Sequence, residues 1–157
     1  MIDEPSTELS DPKELFLGYL DHYRDEVLRK ADGLPDESVL PSGWTPLELI
    51  KHLAYMEQRW IRWGFGGEVV ADPWGDWDAG KTKWQAGESY GELKALLLEQ
   101  GRRTREIVGA ADLAERAPAG PRFKEGETPS LSWILFHVLQ EYARHAGHLD
   151  IVAELSE

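Results

Sequence analysis

Between residues 137 and 150 the chain reads HVLQEYARHAGHLD. His137, Glu141, His145 and His148 follow one another at spacings of four, four and three. At roughly 100° per residue these positions span an arc of about 80° on a helix. Imidazole nitrogens and a carboxylate are the donors that zinc and similar divalent ions take. The same groups also exchange protons near neutral pH. Taken singly, each histidine reads as a hydrogen-bonded polar residue on a helix face. Taken together they differ, because Leu135, Val138, Tyr142 and Leu149 lie beside the arc and place it at the border of a core. Gln140 and Arg144 fall on its other side. A carboxylate at such a border is costly unless it is paired or metal-bound.

One helix rarely completes a coordination shell, so a third donor must come from another element. The candidate is His52, set among Leu49, Leu53 and Met56 on the inward face of an earlier helix. Alone it would be a satisfied core histidine; facing a Glu–His pair four residues apart, it is favoured as a ligand. A di-iron carboxylate centre is excluded. It needs Glu-x-x-His pairs, and both ELIKH and EYARH place three residues between Glu and His.

Four amphipathic segments must position these residues. The first begins at Asp11 as N-cap, with Pro12 and Glu14 in the first turn, and carries Leu15, Tyr19, Tyr23 and Val27 at helical spacing up to Gly33. The second opens with Thr45, Pro46 and Glu48, a capping-box pattern, and runs through Leu49, His52, Leu53, Met56 and Trp60 to the glycines at 64, 66 and 67. The third opens with Ser89 and Glu92 and carries Leu93, Leu96, Leu97, Gln100, Thr104, Ile107 and Val108. The fourth, capped by Thr128 or Ser130, continues nearly to residue 157. No stretch alternates as a strand would, so the prediction is an all-α four-helix bundle, formed as a single domain over 1–157.

The segment from 64 to 88 is long for a bundle loop. Fully extended it could reach roughly 80 Å, whereas a helix of about 20 residues is about 30 Å long. It is therefore predicted to cross the bundle between the second and third helices, which need not be antiparallel neighbours. It also holds Trp74, Trp77 and Trp84. These either pin the loop by burying aromatic area or wall a pocket over the metal; in the second role Trp74 and Trp77 would bind the cofactor. Trp44, Trp60 and Trp133 are predicted to be core. The basic stretch GRRTRE at 101–106 reads as a solvated face with glutamate partners, an anion site being the other option.

Composition narrows the classes. The chain has 157 residues, 41% of them hydrophobic, and a net charge of −12. That charge argues against nucleic acid and anionic membranes as partners. No cysteine is present, so a metal site must use His, Asp, Glu or water, and no cysteine nucleophile is available. The start, MIDEPSTELSDPKE, is acidic and polar, unlike a signal peptide. No apolar run approaches the roughly 18 residues of a membrane span. A cytoplasmic enzyme or binding protein is expected.

SGWTPLELIKHLAYMEQRW together with LSWILFHVLQEYARHAGHLDIVAE resembles the DinB-like superfamily. More narrowly, it resembles the branch of mycothiol-dependent maleylpyruvate isomerase and an uncharacterised actinobacterial family. The resemblance implies a four-helix bundle with a divalent metal, zinc foremost, with nickel or iron as the other candidates. It implies one ligand from the second helix and two from the fourth. Carried over, these are His52, Glu141 and His145, with Glu141 standing where many members have histidine. His137 and His148 then flank the ligands as the candidate catalytic or pocket groups. The isomerase's further C-terminal domain has no counterpart in these 157 residues. The activity implied is S-transfer or isomerisation dependent on mycothiol or bacillithiol. Its partners would be a small-molecule thiol and an electrophile, and a homodimer is one assembly open to it. Metal-assisted hydrolysis and a non-catalytic metal-containing binding or stress protein are the alternatives.

Overall fold

The computed structural model of the protein describes residues 1–37, 41–80 and 83–157. Its helices start where the sequence supplies caps. The Asp11 side chain accepts from the amides of Lys13 and Glu14 ahead of α1 (Pro12–Asp32). Thr45 and Glu48 form a reciprocal capping box before α2 (Pro46–Glu57), and Ser89 and Glu92 do the same before α3 (Tyr90–Gly109). Of the two caps considered for α4 (Leu131–Ser156), Ser130 is the one used, accepting from the Trp133 amide. Each cap satisfies amides that a helix start otherwise leaves without partners.

The buried face of α1 differs from the expected stripe. Phe16, Leu17, Leu20, Arg24, Val27, Leu28 and Ala31 are buried, while Leu15, Tyr19 and Tyr23 lie at the border. Arg24 sits in the middle of the true face, and its charge disguises that face in the sequence. A second difference follows α2. The chain continues from Gln58 to Phe65 as a π-helix, closed by the Gly66 amide donating to the Ile61 carbonyl at 2.7 Å. Gly64 permits a close approach here, since a Cβ would stand 2.9 Å from both the Arg59 carbonyl oxygen and the Phe123 ring. The sequence also hides a small antiparallel ladder in which β1 (Trp77–Asp78) pairs with β2 (Lys83–Trp84).

Side-chain pairs fix the helix directions. Along α1 and α4, Phe16 meets Phe136, Arg24 lies over Tyr142 and Lys30 pairs with Asp150, so these two helices are parallel. Lys51 pairs with Glu88 and Arg62 reaches Gln100, so α2 and α3 also run parallel. Tyr90 donates to the Leu28 carbonyl and Arg105 pairs with Asp21, so α1 opposes α3. His52 faces Glu141 while Trp60 meets Trp133, so α2 opposes α4. The order is up-down-down-up. Two consecutive parallel helices need a connection as long as themselves, and residues 66–89 supply it. In GRRTRE, Arg102, Arg103 and Arg105 are all paired with carboxylates, as expected of a solvated face. His22 donates through Nδ1 to the Ile2 carbonyl at 2.8 Å, tying the N-terminal segment to α1. No described helix is long and apolar enough to cross a membrane.

The core of leucine, isoleucine and valine surrounds one charged node to which each helix contributes a side chain. Glu57 of α2 has no exposed surface. Arg24 of α1 donates to it through Nε at 3.0 Å and Nη2 at 2.5 Å. Thr104 of α3 and Tyr142 of α4 donate to it at 2.5 Å each. Both carboxylate oxygens are thereby saturated, as a buried charge requires. Gly101 leaves room for the node, because a Cβ there would stand 2.9 Å from Arg24 Nε.

Candidate metal centre

One and a half turns before Glu57, α2 presents His52 toward α4, which presents Glu141 and His145 in return. Ligand atoms from these three residues all lie within 4.8 Å of one another. His52 Nε2 is 3.5 Å and His145 Nε2 is 3.2 Å from the same oxygen, Glu141 Oε2. Tetrahedral ligands about 2.1 Å from a zinc ion stand about 3.4 Å from each other, so the observed separations match such a shell. The side chains are mostly sheltered, with 12% of His52, 17% of Glu141 and 8% of His145 exposed.

The hydrogen bonds around the cluster define what it is suited to hold. Asp76, on the crossing segment, places Oδ2 3.1 Å from His52 Nδ1. Burial pushes the Asp76 carboxyl up, but hydrogen bonds from His52 and Arg59 outweigh it and hold it below the usual carboxylate range. Ionised, it can only accept, so His52 Nδ1 is the donor of that contact and Nε2 is turned toward Glu141. That Nε2 is buried and makes no hydrogen bond. It faces the Glu141 carboxylate oxygen at 3.5 Å, and a cation placed between the two would engage both. The carboxylate–histidine contact is also the usual orienting device for an imidazole ligand.

Arg59 secures Asp76 in turn, from Nη1 to Oδ1 at 2.5 Å and from Nη2 to Oδ2 at 3.1 Å. It reaches there from the π-helix, a feature that often marks functional sites. The Glu141 carboxyl is held far below its ordinary range by its hydrogen bond with His145 and by the His52 imidazole beside it. Burial pushes the His145 imidazole down, more than Glu141 raises it. An anionic carboxylate and an uncharged imidazole are the protonation states a metal ligand needs.

His148 and His137 stand on either side of the set. His148 Nδ1 is 3.1 Å from His145 Nδ1, and burial lowers its pKa. His137 Nε2 is 3.8 Å from Glu141 Oε1, with its ring 4.3 Å from Trp60 and stacked on Trp133 at 5.4 Å. Burial pushes the His137 imidazole down as well. Trp133 was expected in the core; it is 52% exposed because it lies outside His137 as a cover.

Trp74 and Trp77 are not brought to the cluster. Trp74 is half exposed and lies 4.4 Å from the Arg59 guanidinium. Trp77 is also half exposed. Asp76 lies in a turn closed by the Trp77 amide donating to the Trp74 carbonyl at 2.9 Å, and Trp77 begins β1 just after it. The rings at the site are instead Trp84, stacked on His52 at 3.8 Å and 9°, and Trp44, 5.1 Å from His148 and 4.9 Å from Trp84. Asp76 and Arg59 were not identified from the sequence. An acid on the long loop could have been sought as the partner of His52, but Asp72, Asp76 and Asp78 all qualify by position.

No curated protein matches the chain. A family model described as mycothiol-S-transferase does, over residues 15–157, a span that takes in α2, the crossing segment and α4 with every member of the cluster. The chain therefore belongs to the mycothiol S-transferase family, a DinB-like family.

Proposed function

We propose that the protein is a divalent-metal-dependent S-transferase that joins mycothiol, or a related low-molecular-weight thiol, to an organic electrophile. The observation that supports this most is the convergence of two imidazole nitrogens on one carboxylate oxygen, with the His52 nitrogen buried and without a hydrogen-bond partner. His52, Glu141 and His145 would hold the ion, zinc foremost, with nickel or iron as alternatives. Held by three protein ligands, such an ion keeps a position open and lowers the pKa of a thiol placed there, giving a nucleophile at neutral pH. No cysteine of the protein competes for that position.

The remaining roles fall to the chain itself. Asp76 and Arg59 fix the His52 tautomer. Trp44 and Trp84 keep water from one side of the cluster. His148 has Nδ1 engaged with His145, which leaves Nε2 to take the proton released by the thiol. His137, sheltered by Trp60 and Trp133, is the base on the opposite side. The setting would be the cytoplasm, where thiols are kept reduced.

A spectroscopic test is direct. Protein purified without an affinity tag and loaded with cobalt is titrated with mycothiol, bacillithiol and S-methylated mycothiol. A sulfur-to-cobalt charge-transfer band is expected with a free thiol and not with the methylated form. If no thiol gives a band or a heat of binding, the transferase reading fails and a hydrolase or a binding protein takes its place.

Asp76→Asn should weaken metal affinity by roughly 10–100-fold while leaving the helical content unchanged, because it removes an orienting partner and not a ligand. Competition with a chromophoric chelator measures this. An affinity equal to that of the unaltered protein would show that Asp76 does not act on His52.

A further inference from the structure

The buried and half-buried arginines Arg24, Arg59, Arg62 and Arg103 all lie on carboxylates. Arg122 is different. It is half-buried, and among the described residues it has neither a carboxylate partner nor a protein hydrogen-bond acceptor; its Nε is buried with nothing to donate to. What surrounds it is aromatic. The guanidinium lies 4.4 Å from Trp60, 5.1 Å from Phe123 and 5.9 Å from each of Trp63 and Trp74. Burial and the positive charge of Arg59 both act against its protonated form. Cation–π contacts offset part of that cost, but they leave five N–H donors unused.

This cation lines an open cleft of about 520 Å³ whose other walls include Trp63, Val69, Val70 and Pro73. The one acid in the cleft, Glu68, is already taken by Arg62 and Arg103. Arg122 is also close to the metal cluster through one ring. Trp60, under its guanidinium, is 4.3 Å from His137, which in turn faces Glu141. An unpaired guanidinium fork in an apolar cleft is built to take a planar anion in bidentate fashion. Mycothiol is a thiol with a sugar and inositol body and brings no carboxylate, so with mycothiol as the thiol the anion belongs to the other reactant.

We infer that Arg122 anchors a carboxylate on the electrophilic acceptor, seating an apolar carboxylic acid against the aromatic wall whose Trp60 touches both Arg122 and His137. The inference rests on the thiol-transfer reading for the identity of the reaction, though not for the binding itself. In the reaction the thiol gives up its proton, a sulfur–carbon bond forms, and the leaving group departs with the bonding pair. The carboxylate is held and unchanged.

Two measurements test it. Binding of phenylacetate and of phenylacetamide to the metal-loaded protein is compared with binding to Arg122→Gln and Arg122→Met, with circular dichroism and thermal midpoint as folding controls. Methionine keeps an apolar stem over Trp60, so a fold defect and a lost charge are separated. Phenylacetate affinity should fall roughly 10- to 100-fold in both variants, and phenylacetamide affinity should be unchanged. In parallel, mycothiol conjugation is followed with iodoacetate and iodoacetamide, which differ only in charge and find no cysteine on the protein. KM for iodoacetate should rise in the variants with kcat nearly constant, and iodoacetamide kinetics should not move. Phenylacetate binding that is absent, or equal in wild type and variants, overturns the inference. So does an equal loss with both iodo compounds. Arg122-dependent carboxylate binding without conjugation of either compound leaves the subsite standing and sinks the transferase reading.

Discussion

Replacing Glu57 by alanine is expected to destabilise the bundle by about 3–5 kcal/mol, because it removes the buried counter-charge of the Arg24 guanidinium and leaves it only the part-exposed Asp21. Arg24 is only 4% exposed and cannot swing into water without opening the α1–α3 contact. Thr104 and Tyr142 would lose their acceptor in the same step. For a domain of this size such a loss lowers the thermal midpoint by roughly 6–20 °C. Glu57→Gln should cost less, since the amide still offers one acceptor and fills the same volume. The double variant Arg24→Met, Glu57→Leu should recover the part of the loss due to the unpaired guanidinium, while the Thr104 and Tyr142 hydroxyls still lack their acceptor. Urea denaturation measures all three. If alanine at 57 costs under about 1 kcal/mol, the node is not what joins the four helices.

His52→Ala is expected to reduce bound metal to background while the helices persist. His52 is the only ligand supplied by α2; without it Glu141 and His145, one turn apart on one helix, make at most half a tetrahedral shell. The ring also stacks on Trp84, so a stability loss of about 1–2 kcal/mol accompanies the substitution. Elemental analysis of untagged protein, alongside circular dichroism, separates the two effects. Full metal content in the variant would remove His52, and with it the proposed centre. His137→Ala and His148→Ala, which touch the ligands without belonging to the set, should retain the ion.

The parts of this architecture that follow a local rule could be read directly. Asp11, Thr45 and Ser89 announce helix starts by side-chain chemistry that acts within three residues, and each is a cap in the structure. The Glu141–His145 pair was visible for a similar reason, since residues four apart on a helix meet whatever else the chain does. Arg24 and Glu57 were missed because pattern reading assigns charges to the surface. A signal did exist: Glu57 falls four residues after Leu53, Arg24 four after Leu20 and Thr104 four after Gln100, so complementary polar groups interrupt three core stripes at once. The inward choice of Asp76 over its neighbours, and of Trp84 over Trp77, depends on how the crossing segment folds over α2. No periodicity in the segment encodes that. The π-helix likewise depends on Gly64 closing on Phe123, a residue nearly sixty positions away.

The ligands and the crossing segment divide the labour of the site. His52, Glu141 and His145 ride on two helices whose rotation is set from below by Glu57 and Tyr142, the latter next to Glu141 in sequence. Among its described residues, the segment 66–89 contributes no donor to the cluster. It supplies the outer carboxylate, the ring over His52 and much of the cleft beside Arg122. The stretch of the segment along the cleft, Glu68 to Pro73, can therefore vary the walls of the cleft while Asp76 and Trp84 stay fixed against His52. On the transferase reading, a lineage built on this plan diversifies what it admits through that stretch while the two ligand-bearing helices stay as they are.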